Sequence, residues 1–147
     1  MGLFSFLFGG KSKPQTVDIS KPATAEELKK NVPDFSYEQW KAYFEKIFTT
    51  EFPGRDFEKD VSAEELVNLT GLSSQPHPAC APVDFLFLKD GKPVVAVVLV
   101  RANTYRGMNV KGTHDICLDA GLEYVRFFID MQNTGDYVAN RMKAYLG

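Results

Sequence analysis

Residues 83–100, VDFLFLKDGKPVVAVVLV, constrain the fold more than any other stretch of the sequence. Two apolar runs flank an Asp-Gly pair, a pattern that predicts two β-strands joined by a tight turn. Asp84 lies inside the first run among apolar neighbours, and the second run has no ionisable residue between Val94 and Val100. An isolated buried carboxylate is costly, so Asp84 requires a hydrogen-bond partner, a proton or a function.

The length of the turn decides which side chains share a face with Asp84. A turn of two residues, Asp-Gly, pairs Asp84 with Val97 and leaves Val98 on the opposite face. A turn of three residues, Lys-Asp-Gly, places the glycine in the left-handed position of a bulge. This second register pairs Asp84 with Ala96 and brings Val98 and Val100 to the face of Asp84, and it is the register that we predict.

The segments around the hairpin predict helices and further strands. Capping boxes at Thr24, Ser36 and Ser62 mark three helix starts, because each is followed three residues later by glutamate or glutamine. Helices are also predicted from about 110 to 120 and from about 135 to 146, with a strand at LEYVRFFI between them. This order predicts an α/β (α+β) fold with a mixed central sheet flanked by helices.

Length and composition indicate one globular domain. The chain has 147 residues, of which 44% are hydrophobic and 24% are charged, enough for a single core. Its formal net charge of -2 argues against a general nucleic-acid-binding protein, which usually presents a strongly basic face. Two cysteines do not make a disulfide framework, so we expect a reducing, cytoplasmic location.

The N-terminus differs from the rest of the chain in composition. Residues 3–8 contain leucine and phenylalanine in one short run, and the residues that follow, up to position 23, have the composition of a linker. We therefore divide the chain into an apolar segment with its linker, 1–23, and a folded domain, 24–147. Three interpretations of residues 3–8 stay open: a peripheral anchor on the inner face of the membrane, packing on their own domain, or pairing with a second copy in a homo-oligomer.

Three stretches, taken in order, carry a resemblance to a known family: APVDFLF, DGKPVVAVVL and HDICLDAGLEYVRFF. Over residues 36–146 the chain resembles the PD-(D/E)xK nuclease-like superfamily, and in particular its small bacterial members. The resemblance implies a restriction-endonuclease-like fold. In active relatives, an Asp on the first hairpin strand and a Glu-x-Lys on the second hold a divalent cation, which activates the attacking water.

This chain departs from that motif at the second strand. Asp84 takes the place of the Asp, whereas Val98 and Val100 stand where the Glu and the Lys are required. A hard cation such as magnesium needs oxygen ligands, and valine offers none. We therefore predict a degenerate active site, no cofactor, no enzymatic activity, and a role as an interaction or structural module whose partner the sequence does not identify.

Two alternatives to that role stay open. A divergent metal-dependent nuclease would need migrated ligands, for which the helix after the hairpin offers Lys111, His114 and Asp115. A protein that binds nucleic acid without cutting it is the other alternative, although the overall acidity of the chain argues against it. The candidate residues for such binding are Arg101, Tyr105, Arg106 and Lys111.

The two histidines and the two cysteines share one spacing, HPAC and HDIC. His77, Cys80, His114 and Cys117 could together close a tetrahedral zinc site. The simpler interpretation is structural, because Cys117 lies on the predicted inner face of its helix with Leu118, and a buried free cysteine behaves as a small hydrophobe. We therefore expect no metal, with zinc at these four residues as the alternative.

Overall fold

The structure, a computed structural model, describes residues 32–147 except Ser74 and Tyr105. The predictions for residues 1–23, the apolar run at 3–8 among them, and for the capping box at Thr24 lie outside the described residues. In chain order the elements are α1 (Tyr37–Glu51), β1 (Asp56–Val61), α2 (Ala63–Thr70), β2 (Val83–Lys89), β3 (Lys92–Val100), α3 (Met108–Asp119), β4 (Glu123–Phe128) and α4 (Gly135–Leu146).

The described residues fall into two compact units. One unit contains residues 32–51 and 128–147, and the other contains residues 52–127. The second unit carries the sheet, whose strands lie in the order β1-β2-β3-β4, with β1–β2 and β2–β3 antiparallel. The predicted class is confirmed: the fold is α+β, with a four-stranded mixed sheet and helices.

The turn of the hairpin differs from our prediction. Lys89 pairs with Lys92, so the turn contains two residues, Asp90 and Gly91, and both have positive φ, 52° and 77°. These are the angles of a type I′ turn, which Asp-Gly favours because its backbone twist matches that of the flanking strands. The predicted three-residue turn with a glycine bulge is therefore wrong.

A bulge is nevertheless present, at another place in the hairpin. Leu88 pairs with Pro93 but Phe87 pairs with Val95, which leaves Val94 as an extra residue in β3. Pro93 has no N–H to donate to the ladder, and proline within a sheet is found at edges and bulges. Pro93 therefore gives a physical reason for a bulge in this part of β3, although it does not fix the position of the extra residue.

The bulge restores the face that we predicted, although the register is different. Leu86 pairs with Ala96, where our prediction paired Asp84 with Ala96. Because side chains alternate along a strand, Asp84, Leu86, Ala96, Val98 and Val100 all share one face of the sheet. Placing the two valines on the face of Asp84 was thus correct, whereas the predicted turn and the predicted register were wrong.

Helices α2 and α3 cover that same face. Leu86 and Ala96 belong to a buried cluster with Leu66 of α2 and with Ile116 and Cys117 of α3. The predicted inner face of α3 needs one correction, because Leu118 is 58% exposed. Successive helical residues are turned by about 100°, so a helix that buries Ile116 and Cys117 directs Leu118 toward solvent.

The segment before β2 is hydrogen-bonded to α3. The backbone N–H of Ala81 donates to the carbonyl of Asn109 at 3.1 Å, and the buried Thr113 hydroxyl donates to the carbonyl of Ala81. Cys80 lies against Gly112, where an added methyl group would lie 2.6 Å from Cys80 Sγ. Glycine at this position therefore lets the segment approach the helix backbone closely.

The other unit contains α1 and α4. The reciprocal capping box predicted at Ser36 is confirmed: its N–H donates to Gln39 Oε1 at 2.8 Å, and the Gln39 N–H donates to Ser36 Oγ at 3.2 Å. The buried Tyr43 hydroxyl of α1 donates to the carbonyl of Asn133 at 2.7 Å, just before α4 begins. Burial is the main reason why the pKa of Tyr43 is raised, so the hydroxyl stays a donor.

Candidate functional site

Asp84 is buried in the sheet and has a structural partner. Its side chain is 2% exposed, and Oδ2 accepts the backbone N–H of Leu99 at 2.7 Å. A hydrogen bond from a backbone N–H to a carboxylate is short and stronger than one between neutral groups. Through this hydrogen bond, the Asp84 side chain links the start of β2 to the end of β3.

The positions beside Asp84 cannot ligate a cation. Val98 is 4% exposed and Val100 is 7% exposed, and both lie on the face that carries Asp84. These are the two positions at which the predicted resemblance would require a carboxylate and a lysine, and this chain presents methyl groups there. A single carboxylate that already accepts a backbone N–H does not supply the oxygen ligands that magnesium requires.

Of the three candidates for migrated ligands, two form an ion pair with each other and the third stacks on an aromatic ring. Lys111 Nζ lies 2.8 Å from Asp115 Oδ2, an exposed pair one helical turn apart. His114 instead stacks on the ring of Tyr124, with the ring centroids 4.2 Å apart. In the part of the chain that the structure describes, no group of three or more His, Cys, Asp or Glu side chains is placed to hold a metal ion.

A cavity of about 170 Å³ lies between α3 and β4, and we call it the cationic pocket. Its lining residues are Arg106, Val110, Lys111, His114, Tyr124 and Arg126. Three of them are permanently basic and one is a histidine, and none of the described lining residues is acidic. In a chain whose formal net charge is -2, this pocket concentrates positive charge at one place.

The phenol of Tyr124 is the unusual polar group of the pocket. Its oxygen is buried and has no hydrogen-bond partner among the described residues. Burial raises the pKa of this phenol to about 12, and the nearby Cys117 and Asp84 add to the increase while Arg126 opposes it. At neutral pH the hydroxyl therefore keeps its proton and remains available as a donor.

Of the four nucleic-acid-binding candidates, two reach the pocket. Arg106 and Lys111 line it, Arg101 is exposed outside the lining, and Tyr105 lies outside the described residues. Sequence reasoning missed Arg126 and Tyr124 of β4. Strand alternation in EYVRFF could have found them, because residues 124 and 126 share the face opposite the buried Val125.

The four zinc candidates do not come together. His77 and Cys80 line a second cavity, of about 260 Å³, with Lys111 and Asp115, whereas His114 lines the cationic pocket. Cys117 is fully buried, and burial raises the pKa of its thiol to about 12, which disfavours the thiolate that zinc binds.

Comparisons of the chain with protein-family models, with curated proteins and with solved structures find no match. Within the described residues, no helix is both long enough and apolar enough to cross a bilayer.

Proposed function

We propose that this chain is a non-catalytic domain of nuclease-like fold that acts as an interaction module. The observation that carries the proposal is the Asp84 site, where a buried carboxylate lies beside Val98 and Val100 and accepts the N–H of Leu99. A nuclease of this kind needs oxygen ligands there to bind the cation that activates water. The order of the hairpin, α3 and β4 supports the nuclease-like part of the proposal.

The cationic pocket supports the interaction part. Its basic side chains line an accessible space, and none of the described lining residues is acidic. Such an arrangement suits the recognition of an anionic group, for which arginine clusters are a recurring solution.

A cleavage assay tests the proposal. The full chain is incubated with Mg²⁺ or Mn²⁺ and with single-stranded and double-stranded DNA and RNA, and we expect no cleavage above that of buffer. The informative variant is Asp84→Asn, because asparagine keeps an oxygen that accepts the Leu99 N–H but removes the charge that a cation requires.

Asp90→Asn is the matched control. Asp90 is exposed at the turn of the same hairpin, and asparagine tolerates its positive φ of 52°. Turnover that disappears in Asp84→Asn and persists in Asp90→Asn would overturn the proposal in favour of a divergent metal-dependent nuclease.

A further inference from the structure

The second cavity brings two sulfur-containing side chains to one place. It has a volume of about 260 Å³, and its wall includes Cys80, from the segment before β2, and Met108, from the first turn of α3. Cys80 is a half-buried free cysteine, and Met108 is 82% exposed. The function proposed above uses neither side chain, so this cavity is a separate candidate for binding.

Helix geometry brings the thiol close to the thioether. A methyl group added at Gly112 would lie 2.6 Å from Cys80 Sγ, so the thiol occupies the place of a side chain at that position. Gly112 follows Met108 by one helical turn, and side chains four residues apart on a helix are neighbours, with about 5–6 Å between their Cβ atoms. Methionine has three rotatable bonds, so its thioether can turn toward the thiol. The two sulfur atoms can therefore reach one ion in the cavity.

His77 lines the same cavity, but its ring nitrogens are not arranged to bind a metal. Its Nδ1 accepts the N–H of Ala79 at 3.0 Å. A neutral imidazole has one acceptor nitrogen and one N–H, so the proton lies on Nε2 when Nδ1 is the acceptor. A metal ligand needs a lone pair on the nitrogen that faces the ion. The described lining residues thus offer two sulfur donors and no imidazole donor.

The charged groups of the cavity favour a monovalent cation over a divalent one. Lys111 Nζ lies 2.8 Å from Asp115 Oδ2, so this ammonium and this carboxylate balance each other. A monovalent cation on one thiolate adds no net charge to the cavity, whereas a divalent cation adds an unbalanced positive charge. Zinc also requires about four ligands, and among the described residues His77, Cys80 and Asp115 do not form a metal-binding group of three.

We infer that the second cavity binds one Cu(I) ion through Cys80 Sγ and Met108 Sδ. Thiolate and thioether are soft ligands, which select Cu(I) over harder cations. As the bond between sulfur and copper forms, the Cys80 thiol releases its proton to the solvent, Met108 donates a lone pair, and the oxidation state of the copper does not change. Binding therefore releases one proton per ion.

The test is an anaerobic titration of the full chain with Cu(I) in competition with bicinchoninate, followed by the absorbance of the copper complex of the chelator. We expect one Cu(I) ion per chain. The affinity should rise from pH 6 to pH 8, because a proton is released when the ion binds. Absence of stoichiometric binding would overturn the inference.

Met108→Leu tests the thioether without disturbing the fold. Leucine is similar in volume to methionine, and position 108 is 82% exposed, so the thermal midpoint should stay the same. The affinity for Cu(I) should fall by about tenfold or more, because one of the two soft ligands is lost.

His77→Ala is the matched control, since it changes a side chain of the same cavity that offers no lone pair to the ion. Its affinity for Cu(I) should stay within about twofold of the wild type. Equal weakening by His77→Ala and Met108→Leu would show that the imidazole is a ligand, and the assignment of two sulfur ligands would be wrong.

Cys80→Ser should abolish stoichiometric binding, whereas Cys117→Ala should keep it, because Cys117 is fully buried and does not line the cavity. X-ray absorption of the copper-loaded chain should show two sulfur neighbours. Retention of Cu(I) by Cys80→Ser, or binding of Zn²⁺ as tightly as Cu(I), would overturn the inference.

This inference goes beyond the proposed interaction role, and the two can fail separately. Cleavage of nucleic acid that depends on Asp84 would remove the proposed function and leave the copper site standing. A chain that cuts nothing and binds no Cu(I) would remove only the copper site.

Discussion

The Asp84 site and the cationic pocket lie in the same unit and on the same face of the sheet, yet their polar groups are used in opposite ways. Asp84 is buried between valines and accepts a backbone N–H of the neighbouring strand. The pocket instead presents basic side chains to an accessible cavity, beside a buried hydroxyl that has no hydrogen-bond partner in the part of the chain that the structure describes.

The two sites show that polar residues of one small fold can be either buried with internal hydrogen bonds or placed beside an accessible cavity. A buried polar group whose hydrogen bonds are satisfied internally stabilises the structure, and changing it costs folding free energy. A basic side chain that lines an accessible cavity is more exposed to water, so changing it should cost less folding free energy. The four variants below test how much the buried and closely packed residues contribute to stability, in order of decreasing effect.

Val98→Glu gives the largest expected effect. It introduces an acidic residue at a position that is 4% exposed and shares a face with Asp84. An unpaired buried charge costs several kcal/mol, so we expect a loss of more than about 3 kcal/mol in the free energy of unfolding, measured with urea.

Val98→Thr is the control for that variant. Its side chain has nearly the same shape as valine, and it adds a hydroxyl without a charge, so the loss should be about 1–2 kcal/mol. Equal stability of Val98→Glu and the wild type would show that this position reaches water, and the contrast between the two sites would then fail.

Asp84→Ala comes second. It leaves the N–H of Leu99 without its acceptor in a buried place, which costs about 1–3 kcal/mol, and it also removes packed atoms. Asp84→Asn keeps an acceptor oxygen and should lose less than half as much. If alanine and asparagine destabilise the chain equally, the hydrogen bond to Leu99 contributes little to stability.

The third prediction concerns pH and the buried face of α3. Burial raises the pKa of the Cys117 thiol from its ordinary 9.0 to about 12 in the folded protein. The folded chain therefore keeps a proton that the unfolded chain loses, and stability falls as pH rises from about 9 to about 12.

A variant without the Cys117 thiol isolates that slope. In Cys117→Ala, the free energy of unfolding should decline less steeply with pH above pH 9 than it does in the wild type. The two slopes should differ by up to about 1.4 kcal/mol per pH unit. Urea unfolding at pH 8, 9 and 10 measures it. If the free energy of unfolding fell equally steeply with pH in the two proteins, the Cys117 thiol would be accessible to water in the folded chain.

The smallest expected effect concerns the contact between Cys80 and Gly112, which line the second cavity. Gly112→Ala places a methyl group 2.6 Å from Cys80 Sγ, so the segment before β2 has to shift, and we expect a loss of about 1 kcal/mol. In a Cys80→Ala background the same change should instead stabilise the chain by about 0.5–1 kcal/mol, because alanine favours the helix over glycine. Identical effects in both backgrounds would show that Cys80 and Gly112 do not constrain each other.

Sequence reasoning predicted the elements better than the contacts between them. Ser36 and Gln39 predict the start of α1 because capping is local chemistry, and the Asp-Gly pair predicts a hairpin for the same reason. The register was wrong because Pro93 moves the irregularity away from the turn, to Val94. A local pattern did not reveal where the strand would accommodate that proline.

The candidate site was predicted only in part. Asp84 with its two valines followed from alternation along the hairpin, and Arg106 and Lys111 were identified from their charge. Arg126 and Tyr124 were not, because their proximity to α3 depends on which face of β4 the helix covers. That choice is made by packing between elements distant in sequence, which periodicity alone does not supply.

The extra residue at Val94 makes the length of β3 a determinant of which side chains lie beside Asp84. Deleting it would exchange the two faces of the strand from Val95 to Val100, both of which are buried, and no substitution in β3 can do this. Relatives that differ by one residue here would present different side chains beside Asp84 even at high identity. An alignment that moves a gap by a single column in this strand would therefore compare positions that point in opposite directions.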